Sequence, residues 1–239
     1  MKQPRQTAHK LETQIVKEVR VRYLLHLPRG YGRGRKRWPL ILFLHGAGER
    51  GSRLSMVKKH GPPKLIEAGR ELPFIVVSPQ CPKEQWWSPD VLSALLDEIV
   101  ANYAVDEGRI YLTGLSMGGR GTWTLATACP ERFAAIAPVC GWCEPFAASR
   151  LKDMPTWVFH GAKDPIVPVA KSRDMYGAMK AAGSRKARLT IYLDAGHDSW
   201  TETYENPKLY AWLLRHRRRS AAGKAGAAMR RGGRQTRRA

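Results

Sequence analysis

Apolar and polar residues alternate near the start of the chain. Val19, Val21, Tyr23, Leu25 and Leu27 stand between Arg20, Arg22 and His26. A period of two puts one face of a strand on a core and leaves the other wet. The pattern then changes. Pro39-Leu40-Ile41-Leu42-Phe43-Leu44 is apolar throughout, which suits a strand covered on both faces. Short runs at 74–78, 110–115, 134–139, 156–160 and 189–193 predict further buried strands. Between them, Leu92, Leu95, Leu96, Ile99 and Tyr103 recur at helical spacing behind Ser88-Pro89-Asp90. That triplet supplies an N-cap, a first-position proline and a first-turn acid. Further helices are expected near 118–129, 168–182 and 206–216. Strands alternating with helices at this spacing predict an α/β fold, with right-handed crossovers and a mostly parallel sheet flanked by helices.

The candidate chemistry lies where predicted strands end. Gly114-Leu115-Ser116-Met117-Gly118 follows the strand 110–115 and opens a predicted helix. In that setting a sharp turn lifts a serine hydroxyl above the sheet edge, and small residues two positions either side leave room for the turn. A serine hydroxyl is a poor nucleophile without a base, and the base needs an orienting acid. Asp164 follows the strand 156–160, and His197 follows the strand 189–193. The three residues therefore share one sheet edge, in the chain order Ser, Asp, His. Asp153, Asp174, Asp194 and Asp198 compete with Asp164; Asp194 and Asp198 flank His197 and could cap or turn its loop, but neither follows the penultimate strand as Asp164 does. His45 and His160 compete with His197. Both read as structural residues at strand ends, with His160 the reserve base. For a developing oxyanion, one donor is expected from the Met117 N–H. The second is expected from the Ala47 N–H in His45-Gly46-Ala47-Gly48, with Gly46 and Gly48 as neighbouring alternatives.

Several stretches together carry a family resemblance. They are Trp38 to Gly51, Ser78-Pro79-Gln80-Cys81-Pro82, Leu112 to Gly119, His160-Gly161-Ala162-Lys163-Asp164, and Ala195-Gly196-His197-Asp198-Ser199-Trp200. These resemble α/β-hydrolases of the phospholipase/carboxylesterase type. They are similar in particular to bacterial esterases related to dienelactone hydrolase and to prolyl oligopeptidase catalytic domains, a group also labelled predicted peptidases. The resemblance implies the α/β-hydrolase fold, a Ser116–His197–Asp164 triad and ester hydrolysis through an acyl-enzyme. It leaves the natural ester open, and a serine peptidase of the prolyl oligopeptidase lineage is the alternative activity. No cofactor and no metal are expected.

Composition adds less. The 239 residues are 43% hydrophobic and include eight tryptophans. Residues 1–216 read as one catalytic domain. Trp86, Trp87, Trp142 and Trp200 fall on predicted rim loops and are expected to line a substrate cleft. No long insertion is placed to form a lid, so short-acyl or aryl esters are expected. The formal charge is +21, and ten of the cationic residues lie from Arg215 onward with no acid among them. Residues 217–239 are therefore expected to form a disordered basic tail. A polyanion-binding role for that tail is the weaker functional reading, and specific nucleic-acid recognition is not expected. No run is long and apolar enough to span a membrane, and no signal peptide is evident, so a cytoplasmic location is expected unless the chain is a processed secreted form. Gly46-Ala47-Gly48-Glu49-Arg50-Gly51 fits a dinucleotide fingerprint by letter, but no acid ends the next strand. Cys140-Gly141-Trp142-Cys143 has no second ligand pair at zinc spacing.

Overall fold

The computed structural model describes residues 8–218. Seven strands form one sheet: β1 (Arg22–His26), β2 (Trp38–Leu44), β3 (Ile75–Gln80), β4 (Val105–Leu115), β5 (Ala135–Val139), β6 (Thr156–Gly161) and β7 (Ala187–Tyr192). Their order is β1-β3-β2-β4-β5-β6-β7. β1 runs antiparallel to β3, and every other pair is parallel. Six α-helices cover the sheet: α1 (Gly61–Glu67), α2 (Pro89–Asn102), α3 (Met117–Ala128), α4 (Ala170–Ala181), α5 (Trp200–Glu205) and α6 (Pro207–Leu214).

β2 shows why the sheet has two cores. All seven of its residues are buried. Because successive side chains point to opposite faces, Leu40, Leu42 and Leu44 join Leu92, Leu96 and Ile99 of α2, Trp123 of α3, and Met175 and Met179 of α4. Ile41 and Phe43 join Tyr204 of α5 with Leu209 and Trp212 of α6 on the other face. A leucine buried this way stabilises the fold by about 1.5–3 kcal/mol relative to exposure.

The expected strands are present, with shifted ends. β1 is shorter than the alternation suggested, because it pairs with β3 only from Arg22 to His26. β4 starts at Val105, ahead of the apolar run, where it meets Trp38. Ser88 stands at the N-cap of α2 with Pro89 next to it, yet its side chain makes no capping bond. Two short helices, α1 and α5, were not foreseen. α1 opens with Gly61-Pro62-Pro63, and prolines fit a first helical turn because those N–H groups have no acceptor within the helix. Among the described residues, no helix is long and apolar enough to cross a membrane.

The chain beyond α6 returns to the start of β4. Arg217 Nη1 lies 2.7 Å from Asp106 Oδ2, and the Arg218 N–H donates to the Gly108 carbonyl at 2.8 Å. The rest of the expected tail, residues 219–239, lies outside the described residues.

The tightest backbone approach is at Gly118. A Cβ there would stand 1.9 Å from the Leu44 carbonyl oxygen. Backbone cannot swing aside as a side chain does, so Gly118→Ala should destabilise the protein by about 3 kcal/mol, the upper range for overpacking. Gly177, exposed within α4, has nothing within 4 Å of a built Cβ. Gly177→Ala should stabilise by roughly 0.5–1 kcal/mol. Urea unfolding of both variants checks the pair; a Gly118→Ala protein as stable as wild type would contradict this packing.

Candidate active site

Ser116 links β4 to α3 with φ 52° and ψ −115°. That left-handed conformation is rare for a residue with a side chain and carries strain on the order of 1–3 kcal/mol. The turn is held at both ends. The Ser116 N–H donates to the Val139 carbonyl at 3.0 Å, and its own carbonyl accepts from the Arg120 N–H at 3.0 Å. Gly114 and Gly118 permit the turn, since a Cβ on Gly114 would stand 2.4 Å from the Gly118 oxygen.

Asp164 and His197 come from the loops after β6 and β7. These loops are packed together: a Cβ on Gly161 would meet the Gly196 oxygen at 2.1 Å, and the Lys163 N–H donates to the Ala195 carbonyl at 3.0 Å. The arrangement brings the three side chains into one chain of hydrogen bonds. His197 Nε2 is 3.0 Å from Ser116 Oγ, and His197 Nδ1 is 2.8 Å from Asp164 Oδ2. With the carboxylate accepting from Nδ1–H, Nε2 is left to accept from the serine hydroxyl.

The Asp164 carboxylate is fully engaged. Oδ1 accepts from the Ile166 N–H at 2.8 Å and the Val167 N–H at 2.9 Å. Oδ2 faces His197 and also His160 Nε2, at 3.2 Å. Burial by itself would raise this carboxyl; the His197 bond and the two backbone donors outweigh it and bring it below the usual aspartate range. Two of the competing acids are engaged elsewhere. Asp194 pairs with Lys163 at 2.8 Å, and Asp198 caps the Thr201 N–H at 3.0 Å.

His160 lies buried at the end of β6. Its Nδ1 stands 2.7 Å from Ser172 Oγ and its Nε2 2.9 Å from the Val167 carbonyl. With Nε2–H shared between that carbonyl and Asp164, Nδ1 accepts from the Ser172 hydroxyl. Its contact with Asp164 was not anticipated, although the spacing His160-x-x-x-Asp164 places both at one strand end. His45 holds the opposite wall. Its Nδ1–H donates to the Gly46 carbonyl at 2.6 Å, and its Nε2 accepts from the Cys81 N–H at 3.0 Å. The loop it anchors faces Ser116: a Cβ on Gly46 would be 3.7 Å from Ser116 Cβ. Ala47 opens a 3-10 helix on that loop, and Met117 is the first residue of α3.

The four expected cleft tryptophans divide. Trp87 is a correction: it is only 7% exposed, and its Nε1–H donates to the His45 carbonyl at 3.2 Å. It anchors a loop rather than lining a cleft, because the neighbouring Gly121 leaves a slot for its ring. Trp200 is half-buried and meets His197 edge-on, with centroids 5.2 Å apart. Trp86 is 51% exposed and meets Trp142 edge-on at 6.0 Å. The four cysteines are free thiols. Cys140 Sγ lies within 4.8 Å of ligand atoms of Asp164 and His197, but burial pushes its thiol up to about 12. A neutral thiol beside two groups already hydrogen-bonded to each other is a poor metal donor set.

The sheet, its crossovers and a strand–turn–helix serine at the carboxyl edge define the α/β-hydrolase class. Within it, the chain belongs to the Esterase family, whose model, described as "Putative esterase", matches residues 16–226. A "Probable feruloyl esterase C" of Aspergillus terreus is 26% identical over 154 residues, covering 62% of this chain and 56% of that protein. A bifunctional acetylxylan esterase/xylanase of Neocallimastix patriciarum is 28% identical over 141 residues, covering 54% of this chain and 20% of that protein. The matches thus span about half or less of these curated relatives. Among solved structures, a thermostable esterase is 35% identical with a TM-score of 0.70, over 83% of this chain and 60% of that one. A ferulic acid esterase, 19% identical with a TM-score of 0.61 over 80% of this chain and 89% of that one, shares the fold.

The two buried histidines set a pH dependence. Burial, chiefly, lowers His45 to about 4, against the raising effect of its Gly46 bond; burial lowers His160 as well. His45 therefore stays neutral in the folded protein well below pH 6.5, where an unfolded histidine titrates, and His160 is displaced in the same direction. Between roughly pH 6.5 and 4 the unfolded chain therefore binds protons that the folded chain does not. Stability should fall as pH falls through that window, by up to about 1.4 kcal/mol per pH unit for His45, with His160 adding in the same direction. Urea unfolding from pH 7 to 4.5 measures the slope; a flat profile would contradict neutral, buried imidazoles.

Proposed function

We propose that this protein is a serine carboxylic-ester hydrolase working through an acyl-enzyme. The observation that carries this reading is the hydrogen-bond chain Ser116 Oγ–His197–Asp164, at 3.0 and 2.8 Å. Ser116 Oγ attacks the ester carbonyl carbon while His197 Nε2 takes its proton. The carbonyl electrons move to oxygen, where the N–H groups of Met117 and Ala47 would donate to the oxyanion. The tetrahedral intermediate collapses, the ester C–O bond breaks, and the alcohol leaves with the proton from His197. Water attacks the acyl-serine in the same way, His197 again taking and returning a proton, and the acid departs. Asp164 holds the imidazole tautomer and stabilises the imidazolium formed in each half-reaction.

Membership of the Esterase family supports the reaction class. The esterases among its relatives support an ester rather than an amide. Exposed Trp86 and half-buried Trp142 offer an aromatic wall suited to short-acyl or aryl esters.

Ser116→Ala should lower kcat on 4-nitrophenyl acetate on the order of 10⁴-fold or more while leaving the melting temperature near wild type. A fluorophosphonate probe should label wild type and not the variant. Labelling elsewhere, or near-full activity in the variant, would refute the assignment. Across 4-nitrophenyl esters, kcat/KM should peak at short acyl groups and fall toward palmitate. A maximum at long chains would show that the rim binds lipid tails, and a matched anilide turned over as fast as its ester would favour a peptidase.

A further inference from the structure

One turn beyond Ser116, Arg120 occupies an unusual position. Its guanidinium carbon lies 5.0 Å from the centre of the Trp86 ring and 5.9 Å from that of Trp142. The two indoles meet edge-on with their centroids 6.0 Å apart. Three segments therefore converge on this cation: the start of α3, the loop after β3 and the loop after β5.

The convergence is fixed by backbone. The Arg120 N–H is bonded to the Ser116 carbonyl, so its Cα stands about 6 Å along the helix axis from that of Ser116 at 1.5 Å rise per residue. Gly141 approaches so closely that a Cβ there would be 2.7 Å from the Arg120 nitrogen, which seats Trp142 beside it. Arg50 ties the Trp86 loop to the Ala47 loop, donating to the Gln85 carbonyl at 3.4 Å and the Ala47 carbonyl at 3.1 Å.

The indoles hold the guanidinium, yet no carboxylate meets it. Among the described residues Arg120 makes no ion pair within 4.0 Å and no side-chain hydrogen bond. Glu144, exposed beyond Cys143, is not within that distance. Glu49, on the Ala47 loop, is buried and faces His60 at 3.7 Å. A guanidinium resting on aromatic faces keeps its in-plane N–H groups free, and their fork matches a carboxylate. Lysine would lack that fork and stack less well.

We propose that Arg120, with Trp86 and Trp142, forms a subsite for a carboxylate carried by the ester substrate, on the acyl or the alcohol side of the scissile bond. The substrate class rests on the ester-hydrolase reading; binding of the anion at this subsite does not. Trp86 and Trp142 cover the carbon skeleton between the scissile ester and the carboxylate, and Arg120 receives the anion.

Two matched pairs distinguish the side. Mono-4-nitrophenyl adipate against methyl 4-nitrophenyl adipate places the charge on the acyl part. 4-Acetoxybenzoate against methyl 4-acetoxybenzoate places it on the alcohol part. In one pair, the charged-to-neutral ratio of kcat/KM should fall about tenfold from wild type to Arg120→Gln, through KM. That is the size of one charge-assisted hydrogen-bond pair near solvent. Arg120→Lys should restore only part of the ratio, and raising NaCl to 0.5 M should shrink it in wild type. Calorimetry with Ser116→Ala supplies a readout independent of turnover. Monomethyl adipate or 4-acetoxybenzoate should bind there, and about tenfold more weakly when Arg120→Gln is added. Binding with that loss but no hydrolysis by wild type would sustain the subsite and overturn the esterase reading. Hydrolysis with a ratio unchanged by Arg120→Gln in both pairs would overturn the subsite and leave the esterase reading intact. Absence of both binding and hydrolysis would overturn both.

Discussion

The site depends on one close approach of backbone to backbone. Ser116 is held at φ 52° because the chain must reverse from β4 into α3 within a single residue. The reversal leaves no room for a Cβ at Gly114 or Gly118, where the neighbouring carbonyl oxygens would be 2.4 and 1.9 Å away. Strain of this kind persists only where surrounding structure overdetermines it. Here β2 supplies the wall: its last residue, Leu44, gives the carbonyl that Gly118 abuts, and β2 is buried along its whole length. The buried core thus stabilises a conformation that the serine alone would avoid. In return, the hydroxyl stands above the sheet edge, next to the first turn of α3.

A second constraint is the accounting around Asp164. A carboxylate this buried would ordinarily take up a proton. Two backbone N–H groups and two imidazole nitrogens surround its oxygens instead, so the charged form is favoured. His160 completes this set from beneath. Because its own surroundings lower its affinity for protons, it remains a neutral donor and leaves one negative charge to face His197. His45 plays a parallel part across the cleft: a neutral, buried imidazole that fixes a loop through Gly46 and Cys81.

Much of this was legible in the sequence because the signals were local. The unbroken apolar run of β2 announced burial on both faces. Gly114 and Gly118 marked the turn around Ser116, and the places of Asp164 and His197 after their strands put them on one edge. What was not legible depended on contacts between distant segments. Trp87 and Trp86 are adjacent in a single loop, yet one is an anchor and the other a rim residue, because only Trp87 finds the slot left by Gly121 and the carbonyl of His45. Arg120 carries no signal of its own in the sequence, because its role depends on the loops after β3 and β5 that bring Trp86 and Trp142 to it. α1 escaped notice because Gly61-Pro62-Pro63 reads as a turn when its place against Phe43 is unknown.

Charge follows the same logic of local accounting. At the amino edge of the sheet, Asp106 gathers both Arg109 and Arg217 at 2.7 Å, so positive charge there is matched to a carboxylate. At the catalytic edge four acids are occupied: Asp164 by its four donors, Asp194 by Lys163, Asp198 by Thr201 and Glu49 beside His60. Arg50 spends its bonds on backbone carbonyls, and Arg120 rests on indole rings. Neither kind of contact neutralises a guanidinium charge. Arg50 and Arg120 thus bring guanidinium groups without carboxylate partners to the loops around the reacting serine. An anionic ester would be drawn toward such a rim before contact forms, and a carboxylate held by Arg120, one helical turn beyond Ser116, would anchor its carbon skeleton.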